Sequence, residues 1–379
     1  MPASHRTPRA LTRPRLALAA ATVALAAVAC SSGGGHATGT SSASSSRPSA
    51  QATAITATAT TTAASALVPN SAPTGKGAFL GPVRRIPVDG IKIGYRRFGS
   101  GPDLVMVMGD TGTMSDWTVD LLSRLGRHYH VTVFDNRGVG YTTDDTSVPD
   151  TIPLMADDTV GLIEALGLRH PALLGWSMGG EIGLTVAALH PGAISALVST
   201  GGDLGGSRAI NTPAAVAKEL NSPRTTGPQL MDLLFPADAT AARAAYIEQL
   251  GLIPPEKVGD ETLLRQYQAG QAYESFEGTW DKLPDSTVPM LITNGSLDKI
   301  TPPGNASIIT HRAKHAERVM FPDAGHAMLV QDAGRFVSLV TRFTKASGVA
   351  QQQPPPPPGS PRAAVRVSGR ARRRHPGEA

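Results

Sequence analysis

From residue 83 onward the chain alternates short apolar runs with longer stretches of mixed polarity. Residues 83–87 and 91–96 flank Asp89-Gly90, a pair suited to a tight hairpin turn between two strands. Leu104-Val105-Met106-Val107-Met108 is continuously apolar, which predicts a strand buried on both faces. The spacing then predicts a helix over about 116–125, a strand over 130–134 and a helix over 153–166. A buried strand ends at Gly175, and a helix starts just after Ser177. Further strands fall at 194–199, 288–294 and 318–321, with helices at 306–314 and 332–345. The alternation predicts an α/β fold with a mostly parallel central sheet and helices on both faces. In such a sheet chemistry gathers at the C-terminal ends of the strands. The loops after Met108, Phe134, Gly175, Ser199 and Asn294 should therefore share one edge.

Residues 205–285 break this rhythm. Prolines at 213, 223, 228, 236, 254 and 255 divide the stretch into helical fragments, with helices predicted over 237–250 and 261–272. Weak strand signal predicts a helical cap, inserted between late strands and laid over the sheet edge. Leu233, Phe235, Tyr246, Tyr273, Phe276 and Trp280 are its candidates for a moderately apolar pocket wall.

Composition sets the limits of the folded part within the 379 residues. Residues 30–78 form a linker dominated by Ser, Thr and Ala, too poor in large apolar side chains to offset their ordering entropy. Residues 347–379 form a proline-rich spacer and an arginine-rich tail. The remaining 79–346 suits one domain, with the cap at about 205–285. Much of the net charge of +5 sits at the two ends, and basic residues in the middle are not interleaved with aromatics. That pattern gives no basis for nucleic-acid binding. The basic tail could lie near anionic lipid or a cell-wall polymer, or simply be solvated.

The single cysteine, Cys30, stands at a telling place. Residues 1–29 hold a basic, proline-containing start and an apolar run of signal-peptide length, ending Ala27-Val28-Ala29-Cys30. This resembles the lipobox of bacterial lipoproteins, although Ala27 stands where leucine is usual. The resemblance implies export, lipidation of Cys30 and attachment to the outer face of the cell membrane. Ordinary secretion after cleavage near Ala29 is the alternative. A lone cysteine leaves the domain without an internal disulfide.

Candidate chemistry centres on Gly175-Trp176-Ser177-Met178-Gly179, a G-x-S-x-G pattern with a strand before it and a helix after it. That context describes a nucleophile elbow, in which glycines two residues either side of the serine permit a sharp turn. A serine needs a base, and the base an orienting acid. Asp298 follows a buried strand and His326 lies in a Gly-flanked loop after the last one. Asp203, after another strand end, is the alternative acid. Asp135 and Arg137 read as structural turn residues. His311 and His315, four apart on a helix, read as a surface pair, and no metal site is expected.

Residues 79–346 resemble the α/β-hydrolase superfamily, in particular its esterase, haloperoxidase-like and proline-iminopeptidase-like members. The shared features are the 134–140 stretch, the elbow at 175–180, Gly295-Ser296-Leu297-Asp298 and Ala324-Gly325-His326. The resemblance implies Ser177 as nucleophile, His326 as base and Asp298 as orienting acid, in that chain order. It also implies an oxyanion hole made by the backbone amide of Met178 and one from the loop after Met108, where Asp110 is the candidate. The expected reaction is acyl transfer without cofactor on a small-molecule acyl substrate, a carboxylic ester first. An aminopeptidase is the alternative, and needs an acidic cluster drawn from Glu248, Glu256, Glu261, Glu274 or Glu277 to hold an amine. A catalytically inactive, tethered binding protein is the reading of another class.

Overall fold

The computed structural model describes residues 64–349 except Pro223 and Pro255. Cys30, the signal segment and the C-terminal tail lie outside the described residues. Nine strands form one sheet in the order β1-β2-β3-β5-β4-β6-β7-β8-β9. The hairpin of β2 (Arg84–Val88) and β3 (Ile91–Gly99) turns at Asp89 and Gly90, both with positive φ. From β5 (His130–Phe134) onward the neighbours run parallel: β4 (Asp103–Val107), β6 (Ala172–Trp176), β7 (Ala196–Thr200), β8 (Met290–Gly295) and β9 (Ala316–Phe321).

The continuous apolar runs have a clear physical use. Leu104, Met106, Leu174, Val198 and Leu291 pack into a core on one face of the sheet. Their neighbours Val105, Val107, Leu173, Leu197 and Ile292 pack into a core on the other. Each such side chain contributes about 1.5–3 kcal/mol by leaving water. Helices α1 (Val119–Gly126), α2 (Ile152–Ala165) and α3 (Met178–Leu189) follow β4, β5 and β6. Thr118 and Thr151 cap the first two with their side chains. Capping at Thr118 explains why α1 starts later than the periodicity predicts. Asp116 bonds back to the Thr113 amide instead.

Between β7 and β8 lies the helical cap: α4 (Ala214–Leu220), α5 (Gly227–Leu234), α6 (Thr240–Gln249), α7 (Asp260–Tyr273) and α8 (Gly278–Lys282). Helices α9 (Gly304–Arg312), α10 (Met328–Gln331) and α11 (Ala333–Ala346) complete the chain. Among the described residues no helix is long and apolar enough to cross a membrane.

Residues of the stretch assigned to the linker take part in the fold. Residues 64–78, assigned above to the linker, include β1 (Ala66–Leu67), which pairs with β2. The buried Arg96 explains this, because its guanidinium donates to the carbonyls of Ser71 and Gly81. Backbone polar groups therefore anchor a stretch that has few apolar side chains to bury.

Candidate active site

Strand order reverses at β4, which has β5 on one side and β6 on the other. A crevice opens at such a point, beyond the carboxyl ends of the strands. Ser177 stands there, directly after β6, with φ 58° and ψ −126°. That conformation is costly for a residue with a Cβ and persists only where its surroundings enforce it. Its amide donates to the Thr200 carbonyl at 2.8 Å, and its own carbonyl accepts from Gly180 and Glu181. Both elbow glycines are required by space: a Cβ at Gly175 would overlap the Gly179 carbonyl, and one at Gly179 the Val107 carbonyl. Ser177 is the N-cap of α3, yet its hydroxyl makes no capping bond. The oxygen is left available for chemistry.

Two loops bring in the acid and the histidine. The Leu297 amide donates to the Ala324 carbonyl at 2.9 Å, tying the loop after β8 to the loop after β9. Asp298 Oδ1 accepts from the Ile300 and Thr301 amides at 2.8 and 3.0 Å. Its Oδ2 lies 2.8 Å from His326 Nδ1. Both residues are buried. A carboxylate oxygen can only accept, so the proton resides on Nδ1 and Nε2 is left as the basic nitrogen. The indole of Trp176, the residue before Ser177, donates to the His326 carbonyl at 3.0 Å, and the two rings lie 5.8 Å apart. Among the described residues Ser177 Oγ and His326 share no hydrogen bond. Such contacts are often long before substrate arrives. Asp203 is elsewhere: it accepts from the Gly205 amide at 2.8 Å and lines the cavity described below.

The amides of Met178 and Asp110 donate no hydrogen bond among the described residues. Gly109 packs against Ser177, since a Cβ there would come within 3.0 Å of Ser177 Cβ. The Met108 carbonyl accepts from Asn136 Nδ2 at 2.9 Å, and the Thr111 amide donates to Gln266 Oε1 at 2.6 Å. Thr111, with φ 56°, turns the chain away.

A cavity of about 170 Å³ opens over Ser177. Its lining is partly apolar, with Met178, Leu220, Tyr267 and Ile300, but corrects which residues were expected to supply the wall. Of the six apolar candidates only Tyr273 reaches it. Leu233, Phe235 and Tyr246 pack in the core, Phe276 stacks on Tyr273, and Trp280 lies between the guanidinium groups of Arg208 and Arg312. Instead the cavity carries Asp110, Glu181, Asp203 and Glu274, and no Lys, Arg or His lines it. Burial, then the charges of Asp203 and Asp110, push the Glu181 carboxyl well up. Burial likewise pushes Asp203 up to about 6. Asp110 is exposed to the cavity itself but lies deep beneath the cap, and enclosure pushes its carboxyl up as well. Among the described residues no group of three or more His, Cys, Asp or Glu is arranged to hold a metal. A shallower cavity of about 240 Å³ is lined by residues of α4, α5 and the turn between them, away from Ser177.

Of the glutamates proposed for an amine site, only Glu274 reaches the cavity. Glu277 instead holds Ser207 and Arg208. Glu256 docks the segment between α6 and α7 on the turn after β5. It accepts from Ser115 Oγ at 2.7 Å, while Asp135 accepts from the Met114 and Tyr141 amides. A Cβ at Gly140 would overlap both carboxyl groups, which places them side by side. Burial and then the neighbouring Glu256 push Asp135 well up, and burial pushes Glu256 up too. Two such groups share a proton. Arg137 is held by Asp158 through Nε and one terminal nitrogen, at 2.9 and 2.6 Å.

The sequence reading missed Glu181 and Gln266. Glu181 was visible as a polar residue in the first turn after the elbow, in an otherwise apolar helix. Gln266 carried no local signal, because its partner lies 155 residues away.

Residues 102–333 match the family described as alpha/beta hydrolase fold, a span of more than half the chain. The chain is 26% identical over 247 residues to the "Putative carbamate hydrolase RutD" of Escherichia coli O103:H2, covering 64% of this chain and 91% of that protein. Among solved structures it resembles an alpha/beta hydrolase fold protein from Chitinophaga pinensis, with TM-score 0.63 and 23% identity over 70% of this chain and 97% of that one. It also resembles the esterase RhEst1 from Rhodococcus sp. ECU1013, with TM-score 0.60 and 23% identity over 70% and 99% of the two chains.

Proposed function

The chain belongs to the α/β-hydrolase family, and from that premise we propose that it is a serine hydrolase forming an acyl-enzyme on Ser177. The observation that carries the proposal is the buried Asp298–His326 pair beside a strained, uncapped elbow serine. His326 Nε2 takes the Ser177 proton as Oγ attacks the carbonyl carbon. The Met178 and Asp110 amides donate to the oxyanion, and Asp298 balances the imidazolium that forms. His326 then returns the proton to the leaving group. Water, deprotonated by the same nitrogen, releases the acid and regenerates Ser177. A carboxylic ester is the first substrate class.

A second reading has a specific observation in its favour. Four acidic side chains line the cavity and, among the described residues, no Lys, Arg or His does. A protonated amine on the acyl substrate would draw a carboxylate out of this cluster and pair with it, as in an aminopeptidase substrate or an aminoacyl ester. The name of the E. coli relative adds carbamates to the acyl groups worth testing. Hydrolysis of a panel of p-nitrophenyl esters, carbamates and aminoacyl p-nitroanilides, with Ser177→Ala alongside, tests both readings. Ester turnover lost in the variant supports the first; turnover confined to amine-bearing substrates selects the second. Silence across the panel contradicts both and favours a binding role.

We also infer export and attachment through lipidated Cys30, on the small-residue run and thiol at positions 27–30. Metabolic labelling with a fatty acid should mark the full chain and not Cys30→Ser. An unlabelled, freely released wild type would indicate simple secretion.

A further inference from the structure

We infer that Gln266, on cap helix α7, is a positioning residue for the oxyanion hole, an inference that rests on Ser177 being the nucleophile. Gln266 is 1% exposed and lines the cavity. Its Oε1 accepts from the Thr111 amide at 2.6 Å, and its Nε2 donates to the Arg137 carbonyl at 3.4 Å. The two partners fix the orientation of the amide, because one only donates and the other only accepts. Arg137 is itself immobilised on Asp158.

The bond matters because of what it holds. Thr111 has φ 56°, a conformation that a threonine keeps only under constraint. It directly follows Asp110, whose free amide is the second oxyanion donor of the mechanism. The Asn136 bond secures the loop upstream, at the Met108 carbonyl, and Gln266 secures it downstream. The acceptor for the downstream bond comes from the cap and not from the sheet. Docking of α7 and correct aim of the Asp110 amide are therefore one event, so the cap controls the rate of the chemical step as well as access to it.

Gln266→Met tests this: it keeps the length of the side chain and loses the acceptor oxygen. Gln266→Glu keeps an acceptor toward Thr111, and burial beside other carboxyl groups favours its neutral form. Both are compared with wild type on an ester that wild type turns over, with thermal melts to establish folding and Ser177→Ala as control. An arylboronic acid, whose adduct mimics the tetrahedral anion, probes the hole itself. The expected result is a fall in kcat of about 10- to 100-fold for Gln266→Met, as for a small misplacement of a catalytic group. KM should stay within about twofold, boronate binding should weaken in parallel with kcat, and Gln266→Glu should recover most of kcat at the acidic end of the active range. Unchanged kcat in folded Gln266→Met, or a rise in KM alone, overturns the inference. Turnover that survives in Ser177→Ala overturns the nucleophile assignment instead.

Discussion

The cavity has two unlike walls. On the sheet side, Ser177 follows the buried β6 and is held by glycines without room for a Cβ, and the buried Asp298–His326 pair, outside the cavity lining, follows β8 and β9. On the cap side, α4 and α7 are short of buried residues, and α4 has none. The sheet side gives precise geometry because β6, β7 and β8 are buried on both faces. The cap can vary in sequence without disturbing that geometry, except at a few polar tethers such as Gln266 and Glu256. Negative charge belongs to both walls: Asp110, Glu181 and Asp203 from the sheet side, Glu274 from the cap. The contrast places the reacting groups on the sheet side and leaves the cap to reach them through single polar contacts such as the Gln266 bond to Thr111.

Sheet-side variants should cost most. Ser177→Ala should lower kcat by about 10⁴-fold or more, with substrate affinity retained. Asp298→Asn should lower it by about 10³- to 10⁴-fold, because an amide in place of the carboxylate would favour the wrong His326 tautomer. Steady-state kinetics checks both, and near-wild-type turnover in Asp298→Asn would shift the acid's role to Asp203.

Variants in the acidic cluster should act on selection only. Glu274→Gln should raise KM for an aminoacyl ester about tenfold, as for loss of one charge-assisted hydrogen bond. It should leave the isosteric neutral ester within about twofold. The preference should also depend on pH. Burial raises Asp203 to about 6, so the cluster is most anionic above that value and loses charge as pH falls through it. The ratio of kcat/KM for amine-bearing over neutral esters should therefore decline toward pH 5. Taking the ratio cancels the shared titration of the base. A flat ratio would remove the case for an amine-bearing substrate.

The smallest effect concerns the cap tether. The folded state raises the pKa of Asp135 and Glu256, so it holds a proton that the unfolded chain has already released above about pH 4. Stability is then greatest at or below the unfolded carboxylate range and falls as pH rises toward the raised values. Arg96 opposes the effect on Glu256, and Asp116 adds to it. Glu256→Gln should reduce the pH slope of thermal stability between about pH 4.5 and 8, by on the order of 1 kcal/mol across the range. An identical slope in the variant would mean that the two carboxyls do not share a proton.

How much was legible in the sequence follows the same division. The sheet could be read because buried parallel strands need uninterrupted apolar runs, as at residues 104–107 and 172–174. The elbow, the acid loop and the histidine loop could be read because each is a short local motif at a strand end. Glycine spacing around Ser177 reports a steric requirement that sequence alone displays. The cap and its two longer helices, α6 and α7, were legible as well, but its shorter helices and the cavity lining were not, for a physical reason. Helices α4, α5 and α8 are short and carry too few buried positions to generate a period. Aromatic residues there suggested an apolar pocket, but Phe235 and Tyr246 serve the core and Trp280 serves two arginines. Glu181 and Gln266 gained their roles only from partners distant in the chain. The 64–78 segment was missed because Arg96, not apolar burial, secures it.

The central claim is that Ser177 is the one nucleophile and that the free amides beside it receive the oxyanion. Labelling of the full chain with a fluorophosphonate, followed by intact mass and peptide mapping, tests it most directly. The account predicts a single adduct on the peptide containing Ser177, absent from Ser177→Ala. It also predicts that a bound arylboronic acid slows the labelling. No adduct, or an adduct that persists in Ser177→Ala, would contradict it.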